Sequence, residues 1–284
     1  SSLLKSRKII SQFKPDIAIG TGGFASGPLL KAATQKGIPS LIQEQNSYAG
    51  ITNKWVAKKV NSICVAYPNM ERYFPKEKIV FTGNPIRRDV LQLSGDVTEA
   101  KKIFKFNPTQ KVLLIIGGSL GSKRINELIS ANLNFFKKNK VQVLWQTGKI
   151  YFETYKNLNS ETVRVVEFIH KMNEAYTAAD FIISRAGAGS VSELCVVAKP
   201  VIFIPSPNVA EDHQTKNAHA IVEQNAAISI AEQNLEKEFQ TQFLAILNDE
   251  EKQNSLASNI KKLAKPEATS AIVDEVEKII AQQK

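Results

Sequence analysis

Lys111-Val-Leu-Leu-Ile-Ile-Gly-Gly-Ser-Leu-Gly-Ser-Lys-Arg-Ile-Asn-Glu-Leu-Ile129 is the stretch that decides the fold. Its apolar run predicts a buried strand, and Gly117–Ser122 predict a tight turn into an amphipathic helix. Backbone N–H groups at such a helix N-terminus meet a phosphate, because the helix dipole favours negative charge there. Glycines also serve ordinary strand-to-helix connections, so this turn alone fits either a phosphate site or a plain connection.

A second glycine-rich turn, Gly20–Gly27, follows the short apolar strand Asp16–Gly20. Two such turns, roughly 100 residues apart, predict two Rossmann-like α/β domains that face one another across a cleft. Strands alternate with helices along the chain, which is typical of parallel sheets with covered faces. The predicted strands are Ile17–Gly20, Ser40–Gln43, Ser62–Ala66, Ile79–Thr82, Val112–Ile116, Val141–Trp145, Arg164–Phe168, Phe181–Ser184, Val201–Pro205 and Ala227–Ile230.

Predicted helices fill the intervals between these strands. They include Leu3–Phe13, Pro28–Lys36, Thr52–Lys59, Ile125–Lys137, Ser190–Ala198, Asp212–Gln224 and the terminal Ala268–Gln283. Gly83–Arg88 and the polar Gln92–Asp96 indicate a linker, which predicts a first domain over residues 1–86 and a second over residues 87–267. The terminal helix, residues 268–284, is expected to join the first domain. A nucleotide-binding half normally starts with a strand and its turn, and this chain opens in a helix, so we expect the first domain to be incomplete.

The composition fits a globular protein of two domains. Of the 284 residues 43% are hydrophobic, and no apolar run reaches the roughly 18 residues that a bilayer-spanning helix needs. No signal peptide is visible, although the first residue is Ser1 and a removed segment stays open. Cys64 and Cys195 lie in apolar stretches, which favours reduced thiols of a cytosolic protein over a disulfide.

The net charge of +10 is concentrated at the beginning of the chain. Residues 1–95 hold 14 Lys and Arg against 5 Asp and Glu, whereas residues 96–284 hold 23 against 22. No nucleic-acid-binding signature with stacking aromatic residues accompanies this charge, so we expect no nucleic acid partner. An anionic membrane surface, an anionic substrate and simple solvation of the lysines all remain compatible with it.

Several motifs, in a fixed order, together resemble the MurG family of bacterial glycosyltransferases. They are Gly20–Pro28, Gln43–Asn46, Gly50–Ala57, Gly83–Arg87, Gly117–Gly121, Arg185–Glu193 and Asp212–Ala218. The family adds N-acetylglucosamine to the lipid-linked peptidoglycan precursor and has the two-domain GT-B fold, with the UDP-sugar held mainly by the C-terminal domain. Its members carry roughly 80 further N-terminal residues, about two or three βα units, which include an acceptor loop with a histidine.

The resemblance assigns the diphosphate of the UDP-sugar to Gly118 and Ser119, at a helix N-terminus. Donors aimed at that diphosphate stabilise the transition state, because charge develops there as UDP leaves. Arg87 would add a positive charge near the nucleotide, although a plain salt bridge in the linker is an alternative. No Asp-X-Asp pair is present, and we expect neither a metal nor a cofactor.

Glu193 would accept two hydrogen bonds from the ribose diol, whereas the alternative is a glutamate favoured only by the helix dipole. Phe168 and Ile169, at the end of a predicted strand, would contact uracil, although core packing of Phe168 is an alternative. The turn before Glu193 is also expected to contact the donor through Ala188, Gly189, Ser190, Val191 and Ser192. The neutral or weakly basic side chains suited to the sugar are Asn46, His213 and Gln214.

The acceptor side is less well defined by the sequence. Many family members have a histidine where Gln43 stands, and the position of Asn53 is left unassigned. The family's candidate catalytic base lies in its N-terminal segment, so we assign no base in this chain and expect the chain alone to be inactive.

A short basic amphipathic helix predicts contact with an anionic bilayer. Its cationic residues are Lys54, Lys58 and Lys59, and its apolar residues are Ile51, Trp55 and Val56. An ordinary helix with Trp55 buried and solvated lysines is the alternative. The resemblance places the protein on the cytoplasmic side of the bacterial inner membrane, as a peripheral protein.

The sequence thus predicts an inverting transfer of N-acetylglucosamine from UDP-N-acetylglucosamine to the C4 hydroxyl of a MurNAc-peptide on a polyprenyl pyrophosphate. The alternatives are a glycolipid synthase that uses a UDP-sugar, a non-catalytic UDP-sugar-binding subunit, and a UDP-sugar epimerase.

Overall fold

The computed structural model describes residues 2–93 and 95–283. Ser94, in the polar stretch of the predicted linker, and Lys284, at the end of the predicted terminal helix, lie outside the described residues, as does Ser1. The chain divides into two compact units. The first unit runs to Ile86 and also includes the segment from Lys265 onward, and the second unit is Arg87–Ala264.

The first unit is built on a four-stranded parallel sheet, in the order β1-β2-β3-β4. Its elements are α1 (Ser2–Phe13), β1 (Ala18–Gly20), α2 (Gly23–Gln35), β2 (Ser40–Glu44), α3 (Ile51–Val56), β3 (Ser62–Val65) and β4 (Ile79–Phe81). The C-terminal helix Ala268–Ala281 belongs to this unit, where Ile279 packs against Leu41 and Cys64. Strands β2 and β3 are buried along their whole length, as expected for strands covered on both faces.

Helix α2 begins five residues before the predicted Pro28–Lys36, so the predicted start was wrong. Proline favours a first helical turn, which is why the sequence suggested Pro28 as the start. Here Pro28 lies inside the helix and cannot donate to the carbonyl of Phe24. Phe24 is 99% exposed, so water is available to that carbonyl.

The second unit contains a six-stranded parallel sheet in the order β10-β9-β8-β5-β6-β7. Its strands are β5 (Lys111–Ile116), β6 (Val141–Gln146), β7 (Val163–Val166), β8 (Phe181–Ser184), β9 (Val201–Phe203) and β10 (Ile228–Ser229). Its helices are α4 (Arg88–Leu91), α5 (Val97–Ile103), α6 (Lys123–Ala131), α7 (Leu133–Lys138), α8 (Phe152–Tyr155), α9 (Met172–Ala178), α10 (Ala188–Val197), α11 (His213–Val222), α12 (Leu235–Leu247) and α13 (Glu250–Lys262). The C-terminal helix of the first unit, Ala268–Ala281, is α14.

The predicted helix Ile125–Lys137 is divided into α6 and α7 at Asn132. The backbone of Asn132 leaves the helical region, and its side-chain amide donates to the carbonyl of Leu128 at 2.8 Å. Asparagine competes with the helix for backbone groups, which explains the interruption that apolar periodicity alone did not predict.

The core of the second unit joins the sheet to α12 through large apolar side chains. Phe136, Phe239 and Phe243 pack together with edge-to-face and stacked rings. The buried Trp145 donates its indole N–H to Asn126 at 2.9 Å, which satisfies the one polar group that its ring brings into the core.

Strand order in the second sheet creates a switch point between β5 and β8. The chain moves outward from β5 to β6 in one direction and from β8 to β9 in the other. Right-handed crossovers in opposite directions place α6 and α10 on opposite faces of the sheet. The carboxyl ends of β5 and β8 therefore border a crevice, which is where open parallel sheets bind ligands.

Both cysteines are free and buried, as predicted. Burial raises the pKa of Cys64 to about 11 and that of Cys195 to about 12, so both thiols stay protonated at neutral pH. Among the helices of the described chain, none is both long enough and apolar enough to cross a membrane.

Candidate functional site

The turn after β5 exposes its middle residues to solvent, and contacts with neighbouring backbone hold its two ends in place. Gly118 has φ +90°, and a Cβ atom built on it would meet open space, whereas a Cβ on Gly121 would lie 2.0 Å from the carbonyl oxygen of Thr147. Ser119 is exposed, and its carbonyl accepts from the N–H of Lys149 at 3.4 Å. The turn is therefore a rigid loop with an open, glycine-lined surface.

Gln146, at the end of β6, connects this turn to the loop after β7. Its side-chain amide donates to the carbonyl of Gly118 at 3.2 Å, and its amide oxygen accepts from the N–H of Ile169 at 2.9 Å. The side chain is buried and both ends of its amide are used. Sequence reasoning missed Gln146, which reads as one more polar residue at a strand end.

Phe168 and Ile169 lie just after β7, which ends at Val166 rather than at the predicted Phe168. The Phe168 ring is 43% exposed and meets the His170 ring edge-on at 5.2 Å, so the alternative of a core phenylalanine was wrong. Ile169 is buried, with its N–H already paired to Gln146. A planar ligand could therefore reach the Phe168 face and the loop carbonyls, but not a free Ile169 N–H.

Ser122 and Arg185 tie the two sides of the switch point together. Ser122 caps α6 by accepting from the N–H of Ile125, and its hydroxyl also accepts from Arg185 at 2.6 Å. Arg185 further pairs with Glu232 at 2.5 Å and donates to the carbonyl of Ile204. Arg185 was seen in the sequence only as the first residue of a motif, because its partners lie 47 and 63 residues away.

Helix α10 begins at Ala188 and has no side-chain cap. Gly187, at its N-cap, has no side-chain oxygen to offer the first turn, so the N–H groups of Ala188, Gly189 and Ser190 point out of the helix without an intrahelical acceptor. Val191 is buried and donates back to Gly187, and the Ser192 hydroxyl donates to the carbonyl of Ala188. This helix start can accept an anion.

Arg87 and Glu193 form a two-pronged ion pair across 106 residues of sequence. Nε of Arg87 donates to Oε1 of Glu193 at 2.8 Å and Nη2 donates to Oε2 at 3.0 Å. The hydroxyl of Tyr176 donates to the same Oε2 at 3.2 Å. The hydrogen bond to Glu193 raises the pKa of Arg87 above its ordinary value.

This pairing changes two of the alternatives set out above. Arg87 does make a salt bridge, but its partner is the candidate ribose ligand rather than a linker residue. Glu193 is the sixth residue of α10, and the first turn of that helix contains no acidic residue. The helix dipole alone, which acts within the first turn, was therefore the wrong explanation for Glu193.

Gln214 and His213 begin α11 after a strained backbone. Glu211 and Asp212 both have positive φ, and the Nδ1 atom of His213 lies 2.8 Å from the carbonyl oxygen of Ala210. The amide oxygen of Gln214 accepts from the N–H of Ser206 at 2.9 Å, which orients the amide and leaves its NH2 end to donate. His219, on the same helix, is exposed, and its Nδ1 atom lies 3.3 Å from Oε1 of Glu223.

Asn46 lies in the first unit, in the loop that follows β2. The buried carboxylate of Glu44 shapes this loop by accepting from the N–H groups of Asn46 and Gly50 and from the amide of Asn53. Gln43 is also buried and donates to Asn84 at 2.7 Å, so it lies under the loop rather than on its surface. Asn53, to which the sequence assigned no role, is buried beside Glu44 and donates to its carboxylate, so it has a structural role in this loop.

The structure brings most predicted residues to one edge of the second sheet. They are Gly118, Ser119, Phe168, Ile169, Ala188, Gly189, Ser190, Val191, Ser192 and Glu193, with Arg87 joined to Glu193, and with His213 and Gln214 after β9. Within the described chain, no group of three or more His, Cys, Asp or Glu is placed to hold a metal. Such an edge offers backbone donors for an anion, a carboxylate for a diol and an exposed aromatic face.

Comparison with family descriptions gives two matches along the chain. Residues 112–272 match the glycosyltransferase family 28 C-terminal domain, and residues 1–65 match the glycosyltransferase family 28 N-terminal domain.

Two curated relatives cover nearly the whole chain. Both are named UDP-N-acetylglucosamine--N-acetylmuramyl-(pentapeptide) pyrophosphoryl-undecaprenol N-acetylglucosamine transferase. The protein of Christiangramia forsetii is 58% identical over 99% of this chain and 76% of its own length, and that of Flavobacterium psychrophilum is 55% identical over 100% and 78%. The crystal structure of Acinetobacter baumannii MurG is 31% identical, with a TM-score of 0.80 over 97% of this chain and 77% of its own.

Proposed function

The chain belongs to glycosyltransferase family 28, and on that premise we propose that it makes lipid II from lipid I. N-acetylglucosamine passes from UDP-N-acetylglucosamine to the C4 hydroxyl of MurNAc in the polyprenyl-pyrophosphate-linked precursor, a β-linkage forms and UDP leaves. The observation that carries this proposal is the 58% identity to the Christiangramia forsetii transferase over 99% of the chain.

The diphosphate binds at the switch point of the second sheet. Gly118 and Ser119 offer an open backbone surface before α6, and the uncapped first turn of α10 offers N–H groups from the other side of the crevice. Two helix N-termini then meet the group on which negative charge grows as UDP leaves. Because these donors are held rigid by Gln146 and Arg185, they need no rearrangement as the charge develops.

The nucleoside binds beside Glu193 and Phe168. The Glu193 carboxylate accepts the two ribose hydroxyls, and Arg87, which is half-exposed in its pair with Glu193, turns from the carboxylate to the diphosphate. Uracil stacks on the exposed Phe168 ring and contacts the loop carbonyls, since the N–H of Ile169 belongs to Gln146. Charge and shape thus recognise the UDP portion within one unit.

The sugar is held by amide and imidazole side chains. Gln214 presents its NH2 group, because its oxygen is fixed by Ser206, and His213 stands next to it at the start of α11. Asn46, in the loop of the first unit that Glu44 shapes, is a separate amide that the family resemblance assigns to the sugar. Amide and imidazole groups both donate and accept, as the hydroxyl and acetamido groups of N-acetylglucosamine require.

The first unit docks on an anionic inner-membrane surface from the cytoplasmic side. Trp55 is 55% exposed and Ile51 is 71% exposed, one helical turn apart on α3, so the alternative of a buried Trp55 was wrong. Gly27 of α2 lies against the indole, where an added Cβ would come within 3.3 Å, and Phe24 is three residues before Gly27 on the same helix. Val56, in contrast, is buried and belongs to the core.

Cations surround this apolar surface. Lys31 lies over the Trp55 ring, with Nζ 5.0 Å from its centroid, and Lys58 and Lys59 are exposed on the segment that follows α3. Lys54 lies over the rings of Tyr48 and Tyr73 instead. Aromatic residues ringed by lysines suit the headgroup region of an anionic leaflet.

A hybrid enzyme tests the proposed transfer. This chain replaces the matching region of the Christiangramia forsetii transferase, and the hybrid receives UDP-N-acetylglucosamine with either a polyprenyl-pyrophosphoryl MurNAc-pentapeptide or a diacylglycerol. We expect UDP release and a disaccharide-bearing lipid only with the muramyl acceptor, measured by mass spectrometry. Transfer to the diacylglycerol supports a glycolipid synthase instead, and a folded hybrid that binds donor without transfer supports a binding subunit.

A further inference from the structure

The Glu193 carboxylate already accepts so many hydrogen bonds that a ribose diol cannot bind to it without displacing one of the donors. Its side chain is 17% exposed and already accepts three hydrogen bonds, two from Arg87 and one from Tyr176. An ionised carboxylate has about four lone-pair positions, two on each oxygen. On this count Oε2 is filled by Arg87 and Tyr176, and one position remains on Oε1.

A ribose diol donates two hydrogen bonds, so one existing donor has to leave before the diol binds as proposed. Arg87 is the donor able to do so, because its side chain is 47% exposed and its guanidinium can turn to a phosphate. Tyr176 is not able to do so, because its ring is buried at 2% exposure within α9. The hydrogen bond from Tyr176 to Oε2 is thus the one that survives nucleotide binding.

The hydroxyl of Tyr176 is suited to a permanent donor role. Burial, and then the nearby Glu193 charge, raise the pKa of Tyr176 far above its ordinary value, so the hydroxyl keeps its proton at any working pH. Its ring sits on a short helix whose neighbours include α4 and α5, so the hydroxyl cannot follow the carboxylate if the latter rotates.

We propose that Tyr176 is a positioning residue for ribose recognition: it keeps the Glu193 carboxylate aimed at the nucleotide after Arg87 has moved to the diphosphate. This inference rests on the proposed function, because it needs a UDP-sugar at this edge of the sheet. It adds that discrimination between ribose and deoxyribose depends on a residue that never touches the nucleotide.

Nucleotide titrations of the chain test the inference directly. Calorimetry measures the affinities of UDP and of 2′-deoxy-UDP for the wild-type chain, for Tyr176→Phe and for the control Tyr155→Phe, whose ring packs against Trp145 in the same unit. We expect the wild-type chain to prefer UDP by about tenfold or more, since a carboxylate left without its hydroxyl partner is costly. Tyr176→Phe is expected to lower that preference to less than about threefold, mainly by weakening UDP, whereas Tyr155→Phe keeps it.

The ratio of the affinity for UDP to the affinity for 2′-deoxy-UDP distinguishes a positioning role of Tyr176 from simple damage to the fold. If Tyr176→Phe weakens both nucleotides equally and keeps the wild-type ratio, the inference is overturned. If that variant fails to fold, 4-fluorophenylalanine at position 176 fills the space of the hydroxyl without donating, and its ratio decides: a lowered ratio supports the inference and a wild-type ratio overturns it.

Failure of the proposed function looks different. A wild-type chain that binds neither UDP nor UDP-N-acetylglucosamine contradicts the proposed donor site itself. A wild-type chain that binds both nucleotides equally overturns the inference together with the ribose role of Glu193, and the transfer assay on the hybrid is unaffected by that result.

Discussion

The two glycine-rich turns of this chain look alike in sequence and differ in what their glycines do. In the first unit, Gly22 and Gly23 have positive φ and lead into α2, whose second residue, Phe24, is almost fully exposed. In the second unit, Gly121 approaches the backbone of Thr147 and Gly148, and Gly118 remains open. The first turn presents an apolar ring to solvent, and the second presents open backbone at Gly118 and Ser119.

The surroundings of each turn explain this difference. The second turn is fixed by a side chain at the end of β6 and by another just after β8, since Gln146 bonds Gly118 and Arg185 bonds Ser122. The first turn is held by Gln45, which donates to the carbonyl of Thr21, while Gly20 packs under Leu30. A glycine-rich motif therefore marks a tight turn, and the polar residues brought to it from elsewhere decide whether it is suited to an anion.

Replacement of Gly121 by alanine gives the largest expected contrast between the turns. The new methyl group would overlap the carbonyl of Thr147 in a backbone conformation that alanine rarely adopts, so we expect a loss of about 3 kcal/mol or more of unfolding free energy. Gly23→Ala is the matched control, because its Cβ meets nothing within 4 Å, and it should lose only about 1–2 kcal/mol. Urea unfolding measures both values, and equal losses would contradict the claim that only the second turn is packed backbone against backbone.

Replacement of Gln146 by leucine separates the function of the second turn from its stability. Gln146 and Gln142 are both buried on β6, but Gln142 bonds Asn107 at the opposite end of the strand. Each leucine variant should lose about 1–3 kcal/mol of unfolding free energy, because buried backbone partners lose their hydrogen bonds. Only Gln146→Leu should also weaken UDP binding, by about tenfold in calorimetry. If Gln142→Leu weakens UDP binding to a similar extent, loss of stability alone explains the weaker binding.

Replacement of Phe24 by serine tests the role given to the first turn. We expect several-fold weaker binding to vesicles that contain phosphatidylglycerol, since an exposed ring contributes roughly 1 kcal/mol or more on entering the interface. Phe13→Ser is the matched control, because Phe13 is 79% exposed on a different helix, α1. Co-sedimentation measures both variants, and UDP affinity should stay unchanged in each. Equal binding of the wild-type chain to neutral and anionic vesicles would reject the electrostatic part of the account.

The buried thiols give the smallest expected effect, a loss of stability at alkaline pH. Cys64 and Cys195 have folded-state pKa values of about 11 and about 12, above the value of about 9 for an exposed thiol. The unfolded chain therefore loses its thiol protons first, and stability present below pH 9 declines as the pH rises toward these folded values. Each cysteine should cost about 1 kcal/mol between pH 8 and 10, measured by urea unfolding with Cys64→Ala and Cys195→Ala as controls. A slope unchanged by both substitutions would show that other groups cause it.

Local sequence patterns predicted the strands, but they did not predict which residues pair with one another at the candidate site. All ten predicted strands exist with ends within two residues, because apolar runs between turn residues report burial directly. The pairing of Arg87 with Glu193, the hydroxyl of Tyr176 and the bridge by Gln146 join residues 17 to 106 positions apart. No sequence period brings such residues together, since the sheet topology does so only after folding. The sequence also left open whether the Trp55 side chain is exposed, because a six-residue helix has too few turns to define its buried face.

A calorimetric titration with UDP-N-acetylglucosamine tests the central claim, which is that the second unit holds the donor through Glu193 and the turn after β5. Glu193→Gln is compared with Glu174→Gln, a similarly shielded glutamate that pairs with Lys171. UDP-glucose and GDP-mannose serve as competing donors. We predict saturable binding that prefers the N-acetylated UDP-sugar, falls about tenfold or more in Glu193→Gln and stays unchanged in Glu174→Gln. Wild-type affinity in Glu193→Gln, or equal binding of GDP-mannose, would contradict the account.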